Sequence, residues 1–117
     1  MTKFFHVTSA DRLPRIGREG LKVRRISKSE SVMLGRNVSK GVWLFGRLED
    51  AEDWLDGWFQ DEDVPGVILI VRLPSYWPLI IGQFTWTGEP TYYENPAVVS
   101  EVGIPSRYVT LLKGGPR

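Results

Sequence analysis

Apolar residues in this chain fall into short runs, each closed by a glycine, a proline or a change of charge. Residues 4–8, Phe-Phe-His-Val-Thr, predict a strand. Successive side chains point to opposite faces, so Phe5 and Val7 share one side and Phe4, His6 and Thr8 the other. An imidazole thus stands beside a hydroxyl in an otherwise apolar element. The next stretch predicts a helix of about two turns, because Pro14 suits a first helical position and Gly20 a left-handed terminus. Its role is to bring the chain back beside the strand. Residues 22–40 are polar, basic and aperiodic, and predict a long loop with room for one helical turn. Unstructured loops beyond about 12–15 residues in a compact domain are usually functional or disordered.

Further along, residues 41–46 form a glycine-bracketed strand with Trp43 and Phe45 on one face. Over 48–59, Ala51, Trp54, Leu55, Trp58 and Phe59 recur three and four apart, the stripe of an amphipathic helix. Acids crowd its first turns, where the helix dipole favours them. The nearly continuous apolar run 66–73, ended by Pro74, reads as a strand covered on both faces and is expected at the centre of the fold. Short strands are expected at 79–81, 97–101 and 108–112, with Ile104-Pro105 at a corner. Long strand–helix alternation is missing, which disfavours a doubly wound parallel sheet. The expectation is an α+β domain over 1–113, with short strands in two small packed sheets, two or three short helices and a flexible tail at 114–117.

Composition narrows the chemistry. The chain has 117 residues, 42% hydrophobic and 25% charged, which suits one folded domain. It has no cysteine and one histidine, so disulfides, thiolate catalysis and Cys- or multi-His metal sites are excluded. No apolar run reaches the roughly 20 residues of a membrane span, and the first residues lack a secretion signal. The expected location is the cytoplasm. The net charge of +1 conceals a strong asymmetry. Residues 1–47 carry eleven bases and three acids, whereas 48–63 carry eight acids and no base. A basic half attracts phosphates, although opposed faces that simply complement each other explain the pattern as well.

Neither a phosphate-binding Gly-x-x-x-x-Gly-Lys-Ser/Thr loop nor Gly-x-Gly-x-x-Gly occurs, and no Gly-x-Ser-x-Gly turn offers His6 a nucleophile. The order of the pieces is more informative. His-x-Thr in a strand, a short helix closing on Glu19-Gly20-Leu21, a basic segment, Gly41-Val42-Trp43-Leu44-Phe45, a helix near Ala51, an apolar strand and Ile104-Pro105-x-x-Tyr108-Val109 follow one another. This order resembles the ADP-ribosyltransferase superfamily over residues 4–112. It is most similar to the branch with a His-aromatic-Glu triad, which includes DarT-like nucleic-acid modifiers and RNA 2'-phosphotransferases.

The resemblance implies an NAD-dependent enzyme that transfers ADP-ribose to a macromolecular acceptor, protein or nucleic acid. His6 becomes the first triad member, holding a ribose hydroxyl with Thr8 beside it. The aromatic member, commonly tyrosine, falls on Trp43, which keeps a stacking ring but lacks a phenol hydroxyl. The catalytic glutamate falls on Glu94 or Glu101. Gly20, Arg24, Arg25 and Arg36 complete the implied NAD-binding set, the arginines facing the diphosphate. No metal is implied. Cleaving the ribose–nicotinamide bond develops positive charge on the sugar, which a nearby carboxylate stabilises. Each residue also has a structural explanation: a hydrogen-bonded histidine, a core tryptophan, surface acids and solvated arginines. The departures at Trp43 and the glutamate leave open a domain that has lost catalysis and binds a partner. A toxin or phage effector, with an antitoxin or host protein as partner, is the implied biological class.

Overall fold

The computed structural model describes residues 1–58, 64–83 and 96–113. Among them, seven strands and three α-helices are ordered β1 (Thr2–Ser9), α1 (Leu13–Glu19), β2 (Arg24–Arg25), α2 (Lys28–Leu34), β3 (Lys40–Phe45), α3 (Leu48–Trp58), β4 (Gly66–Leu73), β5 (Leu79–Gln83), β6 (Pro96–Ser100) and β7 (Val109–Lys113). These strands pair antiparallel throughout, in the order β5-β6-β3-β1-β4-β7, with β2 paired to β3.

The architecture is α+β, but the strands form one sheet and not two packed ones. The reason lies in β1, which neighbours both β3 and β4 and so joins the two halves. The centre is correspondingly β3 and β1, with β4 next to them. Alternation sends β4 side chains into two cores: Ile68 lies in one, Leu69, Val71 and Leu73 in the other. β1 does the same with Phe5 and Phe4. The first core is roofed by α2 and α3 through Met33, Leu34, Ala51 and Leu55. The second is closed by Ile16 of α1 together with Leu21 and Ile104. Trp43 and Phe45 share the first core, as their spacing requires.

The segment 22–40 is largely structured, contrary to its aperiodic look. Arg24↔Gly41 and Arg25↔Lys40 form a short ladder, and α2 follows. The helix starts because Ser27 Oγ accepts from the Glu30 amide while the Glu30 carboxylate accepts from the Ser27 amide, at 3.1 Å each. It stops at Gly35, whose φ of 71° is left-handed. At the other end of the chain, a 3₁₀ turn over Ser106–Tyr108 delays β7 by one residue. Among the described residues no helix is long and apolar enough to cross a membrane. Phe59, the Trp58 side chain, Glu94 with its flanking aromatics, and the tail 114–117 lie outside what the structure describes.

Candidate functional site

β1 pairs with β4 through every residue from Thr2↔Leu73 to Ser9↔Gly66, yet meets β3 only at Phe5↔Phe45. Past that point the imidazole of His6 takes the backbone acceptor: Nδ1 lies 2.7 Å from the Trp43 carbonyl oxygen. A carbonyl only accepts, so this bond assigns the proton to Nδ1 and leaves Nε2 of the neutral ring as an acceptor. Among the described residues nothing bonds Nε2. Burial pushes the His6 pKa down to about 4, against the upward pull of the Trp43 hydrogen bond, and the charges of Arg24 and Arg12 lower it further. The ring is therefore neutral at pH 7.

A cavity of about 720 Å³ opens at this divergence. His6, Val7, Thr8 and Ser9 of β1 form one wall, and the segment from Arg12 to Met33 supplies most of the rest, with Val42 and Trp54. Ile16, Leu21 and Val42 belong to one core, whereas Met33 and Trp54 pack in the other. The cavity thus reaches both faces of the sheet. Gly20, one of its lining residues, has φ 76° and ψ −167°, and its missing side chain lets Leu21 pair with Ile104 through bonds of 2.8 and 2.7 Å. That bridge fixes the α1 end of the wall.

Four cations line the cavity: Arg12, Arg15, Lys22 and Arg24. Glu19 serves both Arg15 at 2.8 Å and Lys22 at 3.0 Å, and Glu30 holds Arg24 at 2.9 Å. Hydrogen bonds from Lys22 and Arg15 keep the Glu19 carboxyl below its usual range. Burial pushes Glu30 up, but the Arg24 and Ser27 hydrogen bonds outweigh it and leave Glu30 lowered. Arg12 makes no ion pair among the described residues. Four cations against two carboxylates leave a surplus of two positive charges.

Of the residues implied for NAD binding, the structure gathers His6, Thr8, Gly20 and Arg24 at the cavity. Arg25 is exposed in β2 and Arg36 is exposed beyond α2; neither lines it. Trp43 does not line it either. Its side chain is 4% exposed and its ring stacks on Trp54, with centroids 5.8 Å apart and planes at 20°. The Trp43 indole nitrogen is buried without a partner among the described residues. Glu101 is exposed after β6, its amide bonded to the Pro78 carbonyl, away from the cavity lining. Glu94 lies outside the described residues. Among those described, the carboxylate that the structure does bury, Asp50 in the first turn of α3, is pushed up by that burial and does not line the cavity.

Sequence reasoning missed Arg12, Arg15, Glu30 and Trp54 as lining residues. Two signals for them exist in the chain: arginines three apart directly after the His6 strand, and the Ser27-Lys28-Ser29-Glu30 capping pattern. No protein-family model, curated protein or solved structure matches the chain.

Proposed function

We propose that the domain binds NAD in the β1–β3 cavity and acts as an ADP-ribosyltransferase on a macromolecular acceptor. The observation that carries this reading is the neutral His6, held by the Trp43 carbonyl with Nε2 free to accept, beside a two-charge cationic surplus. A ribose hydroxyl donates to such a nitrogen, and a diphosphate carries the two negative charges that the surplus lacks. The volume falls within the usual 300–1,000 Å³ of ligand sites. These residues fit the dinucleotide. NAD brings a glycosidic bond to a good leaving group. Around it, His6 orients a ribose, Thr8 offers a second hydroxyl contact, and Arg12 with Arg24 neutralises phosphate. The carboxylate required at the reacting carbon falls on this reading to Glu94, since Glu101 is exposed and away from the cavity lining.

A second reading, a domain that binds without catalysis, is favoured by one observation. Among the described residues Glu30 is the sole carboxylate lining the cavity, and it is already committed to Arg24 and Ser27. Both readings meet in one experiment. With NAD at one hundred times its Kd the full chain gains about 2.7 kcal/mol, on the order of 10 °C in Tm. Free nicotinamide accumulates on the enzymatic reading and stays absent on the other. His6→Ala weakens NAD binding about tenfold, the value of a single hydrogen bond. An unchanged shift and unchanged nicotinamide release in that variant would exclude His6 from the site.

A further inference from the structure

One carboxylate stands among the cations of the cavity. Glu30 lines it from the first turn of α2, and its side chain is 15% exposed. Both of its oxygens are held: Oε1 accepts from the Ser27 amide at 3.1 Å and Oε2 from Nη2 of Arg24 at 2.9 Å. Turning the group out to solvent breaks both bonds, so it stays where it is. Burial opposes its ionisation, but the bonds from Arg24 and Ser27 outweigh that burial and the group is charged at pH 7. Glu19 differs in both respects. Its side chain is 39% exposed and does not line the cavity, so water screens its hold on Arg15 and Lys22. An entering anion therefore competes easily with Glu19 and meets Glu30 as a fixture. Neither Glu30 nor Arg24 is saturated. Each oxygen of a carboxylate keeps a second lone pair, and Arg24 spends one N–H on Glu30 and one on the Arg25 carbonyl out of five.

We propose that Glu30 determines which phosphorylated ligand the cavity admits, as a fixed carboxylate that accepts from a ribose hydroxyl and excludes a phosphate monoester in that hydroxyl's place. This rests on the NAD reading and deepens it by naming the residue that separates NAD from its 2'-phosphorylated form. A carboxylate has acceptors only, so it welcomes a donor and repels a second anion. The charges of the lining agree. Arg12, Arg15, Lys22 and Arg24 against Glu19 and Glu30 leave two positive charges, which a diphosphate cancels. A further phosphate brings about 1.5–2 negative charges at pH 7, and the described lining holds no cation left to meet them. The diphosphate itself belongs at Arg12, which makes no ion pair among the described residues. Glu30 thus acts on ligand choice and not at the reacting carbon, because its oxygens are already fixed by Ser27 and Arg24.

The test measures the affinities of NAD, NADP and inorganic pyrophosphate for the full chain as wild type, Glu30→Gln and Glu49→Gln. Glutamine at position 30 keeps the reciprocal cap with Ser27 and removes the charge. Glu49→Gln removes an equal charge from a side chain that is 70% exposed and outside the cavity lining. The wild type binds NAD at least about tenfold more tightly than NADP, the least that one close pair of like charges imposes. In Glu30→Gln, NADP tightens about tenfold, pyrophosphate tightens as well, and NAD, which gains from the lost charge what it loses in the hydroxyl contact, moves by less than about threefold. Glu49→Gln leaves the ratio of NAD to NADP affinity at its wild-type value. A ratio unchanged in Glu30→Gln, or changed equally in both variants, overturns the role of Glu30 while leaving NAD binding intact. Equal affinity of the wild type for the two nucleotides overturns it without recourse to any variant. Pyrophosphate that tightens in Glu30→Gln while neither nucleotide binds overturns the NAD reading and upholds Glu30 as the limit on ligand charge. A wild type that binds none of the three overturns both.

Discussion

Gly20→Ala is expected to destabilise the domain by about 3–5 kcal/mol, a large share of the roughly 5–15 kcal/mol of an ordinary domain. Two costs combine. At φ 76° and ψ −167° the backbone occupies a region open essentially to glycine, and a side chain there is strained by about 1–3 kcal/mol. The added Cβ also overlaps the Ile104 carbonyl oxygen, which accepts from the Leu21 amide. Relief requires opening the Leu21–Ile104 bridge, and each of its hydrogen bonds contributes about 0.5–1.5 kcal/mol. Gly17, inside α1, provides the contrast. A Cβ added there meets no atom within 4 Å beyond its own helix backbone, and its helical backbone suits alanine, so Gly17→Ala stabilises by about 0.5–1 kcal/mol. Urea unfolding of both variants reads the difference directly. A Gly20→Ala protein within about 1 kcal/mol of wild type, the size of a single hydrogen bond, would show that α1 and the Ile104 corner are not in the close approach described.

Acidification provides the second large effect. Histidine titrates near 6.5 in the unfolded chain and at about 4 here, so between these values the unfolded state holds the extra proton. Stability from this source is complete above pH 6.5 and is lost as the pH falls toward 4. Between pH 7 and 4.5 the loss amounts to about 2.5 kcal/mol. The lowered carboxyls of Glu19 and Glu30 add their losses only below their ordinary range near 4.5, and Asp50, raised by burial, works in the opposite direction. Among the described groups with a shift, His6 is the one that lowers stability between 6.5 and 4.5, with Asp50 opposing it. His6→Asn keeps an amide N–H at the Nδ1 position for the Trp43 carbonyl and removes the titration, and unfolding curves should lose most of their slope in that window. A slope unchanged by the substitution would mean that His6 is not held neutral by the fold.

These expectations depend on features of unequal legibility in the chain. β4 is readable to the residue, because a strand buried on both faces needs an uninterrupted apolar run and Pro74 ends it. α3 is readable because Ala51 and Leu55 repeat at helical spacing. α2 is harder: two turns are too short for a period, and its adjacent buried residues Met33 and Leu34 give no stripe. Its evident signal is the reciprocal Ser27–Glu30 cap. Pairing is not legible at all, since nothing local tells β1 that both β3 and β4 will flank it. For the same reason His6 and Thr8 are readable as neighbours, whereas the approach of Arg12 and Trp54 to them depends on how α1 and α3 pack. Trp54 carries the opposite difficulty. Its place in an apolar stripe marks it as core, and the stripe does not reveal that one edge of the core is open.

The unequal stitching of β1 has a mechanical meaning. Eight residue pairs join β1 to β4, and one joins it to β3. The sheet is consequently two ribbons, β4 with β7 and β1 on one side and β3 with β5 and β6 on the other, sewn by a single stitch at Phe5 and Phe45. Separating the ribbons at their open end sacrifices few backbone bonds, whereas shearing β1 from β4 sacrifices a whole ladder. The two ribbons are held across that seam chiefly by side chains from both cores, and where the backbone ladder ends the imidazole of His6 carries the connection on to the Trp43 carbonyl.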